Sequence, residues 1–184
     1  MREKKIIMVI MFFVLSTISY GKGFLGINGN LFFPSDKDYK EVYGNSMIYP
    51  ELEIIYSVKN NIFLFGGYGY FSKTGKTIGD LKEDAKSSRG ILSFGAGYDI
   101  ELNEKTDILV KFGIARIGYK EEAMEVKKEG NKIGFLMGAE FMYKIGERFF
   151  TKLTVGYMNG KDKIDEVNLN LGGFKTGIGI GLRF

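Results

Sequence analysis

Apolar and polar residues alternate with a period of two along most of the chain, from Gly23 to Phe184. This period is typical of β-strands, whose successive side chains point to opposite faces. The clearest example begins at Leu92, where large apolar residues stand at even positions and Ser, Gly, Asp and Glu at odd positions up to Glu101. Eight strands are predicted: Gly23 to Phe33, Ile48 to Val58, Ile62 to Ser72, Gly90 to Leu102, Asp107 to Tyr119, Lys132 to Lys144, Phe149 to Met158 and Asn168 to Phe184.

The connections between these strands alternate between short and long. Three are tight turns: Lys59 to Asn61, Asn103 to Lys105 and Ile145 to Glu147. Four are long and charge-rich: Pro34 to Met47, Lys73 to Arg89, Lys120 to Asn131 and Asn159 to Val167. Long loops at one end and short turns at the other are typical of bacterial outer-membrane barrels. An open sheet would leave backbone groups unpaired in lipid, so the pattern predicts an all-β, eight-stranded antiparallel up-and-down transmembrane β-barrel.

The same alternation would also fit a soluble barrel with its apolar face inside. The size of the side chains favours the membrane form, because an eight-stranded lumen is narrow and the apolar set is large and aromatic. The third strand is apolar on both faces; there we place Phe63, Phe65 and Phe71 outside and Tyr68, Tyr70 and Ser72 inside. Two aromatic girdles are expected. They comprise Tyr56, Phe63, Tyr143, Phe149 and Phe184 at the periplasmic interface, and Phe33, Phe71 and Tyr157 at the outer one.

The N-terminus has the pattern of a secretory signal peptide. A basic segment, MREKK, precedes ten apolar residues from Ile6 to Leu15, a stretch too short for a transmembrane helix. Ser19 and Gly21 are small residues at the −3 and −1 positions of a cut after Gly21, and a cut after Ser19 is the alternative. We therefore predict a removed signal peptide over residues 1–21 and an outer-membrane β-barrel domain over residues 22–184.

The C-terminus strengthens this interpretation. The chain ends in GFKTGIGIGLRF, with apolar residues at every second position at Ile178, Ile180, Leu182 and Phe184. This resembles the terminal strand that the barrel assembly machinery reads as an assembly signal in outer-membrane barrel proteins. Signal peptide, strands and loop rhythm together resemble the small barrels that include OmpX-like proteins and the OmpA transmembrane domain; OmpW-like barrels are a second possibility. The resemblance implies a monomer in the cell outer membrane, in contact with lipid and lipopolysaccharide.

Composition excludes several kinds of chemistry. The chain has no cysteine and no histidine, which excludes Ser-His-Asp triads, thiolate zinc sites and cysteine nucleophiles. The outer-membrane phospholipase, lipid A acyl-modifying and omptin families rely on a catalytic histidine, so we predict that the protein is not an enzyme. Glu51 and Glu53 share one face and could form a two-carboxylate site, but lumen charges balanced by lysines are the favoured interpretation. We expect no metal or cofactor, and the scattered net charge of +4 predicts no nucleic-acid binding.

Inward charges on successive strands predict a network inside the barrel. Pairing through each turn or loop centre would bring Asp99, Lys111, Glu140, Lys152 and Lys175 into one row, which Glu51 and Glu53 complete across the lumen. Such a network would close the barrel. It favours a structural or surface-interaction role in envelope integrity, adhesion or host contact through the loops. The alternative is a narrow porin-like channel for ions or small solutes.

Overall fold

The computed structural model describes residues 22–78, 82–123, 126–164 and 167–184, and the predicted signal peptide over residues 1–21 lies outside these ranges. The described elements are, in chain order, β1 (Gly23–Pro34), α1 (Lys37–Tyr43), β2 (Met47–Lys59), β3 (Ile62–Lys76), β4 (Asp84–Asn103), β5 (Thr106–Ala123), β6 (Val126–Ile145), β7 (Phe149–Asn159), β8 (Lys161–Ile164), β9 (Val167–Asn170) and β10 (Gly173–Arg183). No helix within these ranges is long and apolar enough to cross a membrane.

Eight of the strands close into a barrel. Their order around the ring is β1, β10, β7, β6, β5, β4, β3 and β2, and each neighbouring pair is antiparallel. The first and last barrel strands close the ring, and the Gly23 N–H donates to the Phe184 carbonyl at 2.8 Å. The predicted fold class is therefore confirmed. We call the end with the termini and tight turns the lower end, and the end with the long connections the upper end.

The predicted strand from Asn168 to Phe184 is wrong in its first part. Residues Val167–Asn170 belong to a separate hairpin with β8, and the barrel strand starts only at Gly173. The Leu171 N–H donates to the Gly160 carbonyl at 2.8 Å and the Leu171 side chain is fully buried, so the chain turns into the barrel mouth at this point. The sequence carries a signal of this break, because the apolar positions change from odd numbers at Leu169 and Leu171 to even numbers from Phe174 onward.

Two predicted loops are wrong as well, because they are largely strand. β3 and β4 continue past Ser72 and Arg89 towards each other, and β5 and β6 do the same past Tyr119 and Lys132. Opposite charges stand at paired positions there: Lys86 faces Glu122, which faces Lys127. Cross-strand pairs of this kind stabilise a solvated sheet, whereas the sequence pattern alone is equally typical of a loop. We call residues 73–76, 84–89, 117–123 and 126–132 the upper extension.

The outer wall of the barrel is an apolar belt. On seven of the eight barrel strands the large apolar side chains of the predicted outer face are exposed, with Ile48, Phe135 and Ile180 at 74%, 73% and 69% of their full accessible surface. Soluble proteins rarely expose apolar surface on this scale, so the belt needs a lipid surround. The choice of large side chains outside and small ones inside is confirmed for seven strands.

The third strand is inverted relative to the prediction. Phe63, Phe65 and Phe71 are buried inside, and Tyr68, Tyr70 and Ser72 point outward. The reason lies on the neighbouring strands, where inward glycines leave room for the rings: a Cβ atom at Gly97 would lie 2.3 Å from Phe63.

The predicted aromatic girdles change with this inversion. Phe63 and Phe71 do not belong to them, because neither ring reaches the outer wall. Tyr70 and Tyr98, both about half exposed, stand on the outer wall instead.

An arginine in the middle of the apolar belt tests this assignment of faces. Phe112 is the central one of the five outward positions from Ile108 to Arg116 and is 60% exposed. We expect Phe112→Arg to lower the free energy of unfolding by about 2–4 kcal/mol, because the guanidinium would be placed near the bilayer midplane. Val126→Arg, on an equally exposed apolar residue of the upper extension, should change it by less than about 0.5 kcal/mol. Urea unfolding of both variants in lipid vesicles measures the difference; equal stabilities would contradict the assigned faces.

Candidate functional site

The interior of the barrel is filled in three layers. The lower layer is apolar and consists of Ile55, Phe63, Phe65, Leu109, Met142 and Phe150, with Phe24 packed against it. A layer of paired charges lies above it, and an aromatic cap closes the upper end. Each layer draws its residues from several strands, so the inward positions of the two-residue period build the site together.

Two lysines and two glutamates form the centre of the charged layer. Lys111 Nζ donates to Glu140 Oε1 at 2.6 Å and also to Glu53. Lys152 Nζ donates to Glu140 Oε2 at 3.0 Å and likewise to Glu53. All four side chains are at most 8% exposed. Each charge therefore has two partners of opposite sign, which is the arrangement a buried ionic cluster requires.

A further ion pair extends this layer upward. Lys175 Nζ donates to Glu51 Oε2 at 2.7 Å, and the Asn30 side-chain amide donates to the same oxygen at 3.2 Å. Thr154 Oγ1 in turn donates to Asn30 Oδ1 at 2.9 Å. Three lysines and three glutamates thus neutralise one another, and we call Glu51, Glu53, Lys111, Glu140, Lys152 and Lys175 the lumen network.

The structure brings together six of the seven predicted lumen charges, but along diagonals rather than directly across the strands. Lys111 lies opposite Gly138, and Glu140 lies opposite Thr154. The hairpin centres differ from the predicted ones; for example, an irregularity between Glu101 and Asn103 shifts the register of β4 against β5. The long lysine side chains bridge the resulting offsets.

Asp99 is the predicted member that the structure places elsewhere. The register shift sets it opposite Leu109, below the apolar layer, where Lys144 pairs with Asp107 at 2.8 Å. There it faces a funnel of about 1100 Å³ that opens at the lower end. The charge layer therefore ends above Asp99, and the row predicted from the sequence is wrong at this position.

The aromatic cap was not predicted from the sequence. Asp36 caps helix α1 by accepting a hydrogen bond from the Tyr39 N–H at 2.9 Å. The helix buries Tyr39 and Tyr43 in the upper opening of the barrel. The Arg89 guanidinium stacks on the Tyr39 ring at 4.1 Å and donates to the Leu171 carbonyl at 3.1 Å. The spacing of the tyrosines, four residues apart after a capping aspartate, is the signal that could have indicated this helix.

Hydrogen bonds fasten the cap to the upper extension. The Tyr39 hydroxyl donates to Ser87 Oγ at 3.0 Å, Ser87 donates to Glu121 Oε1 at 2.8 Å, and the Tyr43 hydroxyl donates to Glu121 Oε2 at 2.9 Å. Burial raises the pKa of the Glu121 carboxyl, while the Ser87 hydrogen bond and the Arg89 charge oppose that shift. Burial likewise raises the pKa of Tyr43 well above its usual range. The cap is thus a hydrogen-bonded lid over the lumen network.

The predicted C-terminal positions lie on the outer wall. Ile178, Ile180 and Leu182 are exposed in the apolar belt, and Phe184 forms the closing backbone pair with Gly23. Their role as an assembly signal stays a prediction.

The site contains little free volume and no recognisable metal centre. A cavity of about 40 Å³ lies beside Glu51, Glu53, Ser93 and Lys111 and has room for a few waters at most. Within the described ranges, no group of three or more carboxylates is arranged to hold a metal ion.

Comparison with known proteins gives structural neighbours but no sequence relatives. No family model matches the chain, and no curated protein matches its sequence. The outer membrane protein OprG from Pseudomonas aeruginosa superposes with a TM-score of 0.68 at 14% identity, covering 89% of this chain and 96% of that chain. A major outer membrane protein from Thermus thermophilus gives 0.62 at 10% identity, covering 89% and 99%. Ail, the attachment invasion locus protein of Yersinia pestis, gives 0.57 at 15% identity with the same two coverages, and a second Ail structure contains the heparin analogue sucrose octasulfate.

The likeness at these identities is one of fold. The predicted resemblance to small outer-membrane barrels is confirmed at that level. The outer-membrane location is confirmed by this fold together with the apolar belt.

Removing one charge from the lumen network should destabilise the barrel. Glu140→Gln keeps the shape of the side chain but leaves Lys111 and Lys152 to share Glu53 as their acidic partner among the described residues, so we expect a loss of about 3–5 kcal/mol in the free energy of unfolding. Asp84→Asn breaks the exposed pair with Lys76 in the upper extension and should cost at most about 1 kcal/mol. Denaturant titration in lipid vesicles compares the two variants, and similar losses would show that the network is not a buried ionic cluster.

Proposed function

We propose that the protein is a closed barrel with a structural and surface-interaction role, rather than a channel. One observation carries the proposal: the lumen is occupied by three successive layers of packed side chains, and the charges in the middle layer neutralise one another. A pore needs a continuous wet path lined by charges that remain available to solutes. Here the lower funnel ends at the apolar layer, and the cavity beside the lumen network is small.

The upper extension supports the surface-interaction part of the proposal. In small bacterial barrels the long connections face outside, so the extension projects from the cell surface. It continues the barrel wall as a four-stranded sheet of β3 to β6, held by backbone pairing rather than left as free loops. A rigid, charged sheet on the outside is suited to contact with a host or surface ligand, and Ail, named for attachment and invasion, has the same fold.

A catalytic role is not part of the proposal. The chain has no histidine or cysteine, and the carboxylates of the lumen network, Glu51, Glu53 and Glu140, are held by lysines instead of being free to transfer protons.

Conductance of the refolded protein in a planar lipid bilayer tests the closed state. We expect the wild type to give no discrete steps in concentrated KCl, because each of the three layers blocks the lumen. A triple variant with one substitution in each layer, Phe65→Ala, Glu53→Gln and Tyr39→Ala, should give steps. Phe112→Ala, on the lipid-facing wall, is the matched control and should stay silent. Discrete wild-type steps would contradict the proposal and favour the narrow channel.

Single-cysteine labelling tests which end faces the outside. The chain has no cysteine, so each engineered thiol is unique. Val126→Cys, in the upper extension, should react with a membrane-impermeant maleimide on intact cells. Glu104→Cys, in a tight turn of the lower end, should react only after the outer membrane is permeabilised. The reverse pattern would contradict surface display of the extension.

A further inference from the structure

Outward side chains of β3 to β6 form rows across the upper edge of the apolar belt. One row consists of Tyr68, Leu92, Arg116 and Ile133, which lie opposite one another on the four strands. Leu92 and Ile133, on either side of Arg116, are 42% and 71% exposed and belong to the belt. A permanently charged guanidinium therefore stands in an otherwise apolar row, at the last position before the wall becomes polar.

Arg116 has no acidic partner among the residues that the structure describes. Lysines nearby differ in this respect: Lys120 pairs with Glu122, Lys127 pairs with Glu129 at 3.0 Å, and Lys132 pairs with Asp162 at 3.0 Å. An arginine at the edge of the hydrocarbon region is costly unless its side chain reaches the interface and finds an anion there. Its five donors are thus available to a group from outside the chain.

A notch lies directly above Arg116. The next row consists of Tyr70, Gly90, Gly118 and Asn131, so two adjacent strands carry no side chain at the centre of the row. A Cβ atom at Gly118 would meet only the Gly90 carbonyl oxygen, at 3.6 Å, and the space above this floor is open. Tyr68 and Tyr70 lean over Gly90 from one side, and both rings are about half exposed.

Polar groups line the upper rim of the notch. The following row is Ser72, Ser88, Lys120 and Glu129, in which Ser72 Oγ and Ser88 Oγ are 3.0 Å apart. The donors around the notch are thus the guanidinium below it, the two hydroxyls above it and an amide at one side, while Lys120 and Glu129 in the upper row are already paired, with Glu122 and Lys127 respectively. This donor set suits a tetrahedral oxyanion, which arginine binds with two parallel hydrogen bonds.

We propose that the notch of Gly90 and Gly118 binds the phosphate of an outer-leaflet lipid, with Arg116 as its principal ligand. Depth and charge identify the occupant together. The apolar row below the notch lies at the depth of the acyl chains, and the polar row above it lies at the depth of the headgroups. The unpaired charge, on Arg116, is positive. Lipid A carries phosphomonoesters at this height of the outer leaflet, so a phosphorylated glycolipid matches both conditions.

The number of lipid A molecules that the protein retains tests the proposed site. The protein is refolded in phosphatidylcholine nanodiscs that contain a small fraction of lipid A, and native mass spectrometry counts the lipid A molecules that stay bound. Wild-type protein should retain lipid A, and dephosphorylated lipid A should not be retained. Arg116→Gln should lower the retained fraction about tenfold, as expected for losing a charge-assisted hydrogen-bond donor.

A second variant tests the notch without changing a charge. Gly118→Leu fills the open floor with an uncharged side chain, and it should also lower retention. Gly29→Leu is the matched control, because Gly29 is an outward glycine of β1 where an added Cβ atom would have no neighbour within 4 Å. Lys76→Gln, in the exposed Lys76–Asp84 pair of the upper extension and outside the rows around the notch, controls for loss of one positive charge. Both controls should retain lipid A as the wild type does, and the shift in gel mobility on heating verifies that every variant is folded.

Three results would overturn the proposal. Equal retention by the wild type, Arg116→Gln and Gly118→Leu would show that the notch does not bind the lipid. Equal retention of dephosphorylated lipid A would show that phosphate is not recognised. Inorganic phosphate that binds the protein in pure phosphatidylcholine nanodiscs as tightly as lipid A, measured by phosphorus NMR, would make the site one for free phosphate.

Discussion

A ring of eight strands encloses so little space that its inward side chains must fill the lumen, and the charged ones must pair with one another. Where aromatic rings occupy the lumen, the facing positions are glycines without a side chain, as Gly95 is for Phe65 and Gly97 is for Phe63. Charges are buried between apolar layers, where an unpaired ammonium or carboxylate would be costly. The lumen network meets this demand with equal numbers of lysines and glutamates, drawn from several strands. The network need not add net stability, but it fixes the relative height of those strands, because each partner must arrive at the same level.

The outer wall could be predicted well from the sequence because lipid imposes one simple rule on it. Large apolar side chains at alternate positions face the bilayer, and this rule assigns the faces of seven strands. It fails for β3, which is apolar on both sides, so hydrophobicity carries no information about which way it faces. The deciding information lies on other strands, in the inward glycines of β4 and β5, and becomes visible only when the strands are placed side by side.

The interior could be predicted in kind but not in detail. The alternation identifies Lys111, Glu140 and Lys152 as inward charges, and the structure pairs them. Which residues of two neighbouring strands stand opposite each other depends on where the hairpin turns. A shift of the turn centre by one residue moves each residue's cross-strand partner by two positions. Asp99 shows the consequence, since the irregularity beside Glu101 moves it below the apolar layer. The aromatic cap is harder to predict, because its seven-residue helix lies in a polar connection and its tyrosines become core residues only where the helix packs on the upper opening of the barrel.

The closing pair between Gly23 and Phe184 has a consequence for how the barrel is made. These residues lie at opposite ends of the described chain. The edge of β1 that faces away from β2 pairs with β10, on the edge of β10 that faces away from β7. Contacts between such distant segments form slowly, because closing a long loop costs entropy before any contact is gained. Until the last strand is in place, both edges present unpaired backbone groups that would pair with any other extended chain. Whether β1 and β10 pair with each other or with a foreign strand therefore depends on what shields those two edges until the ring closes.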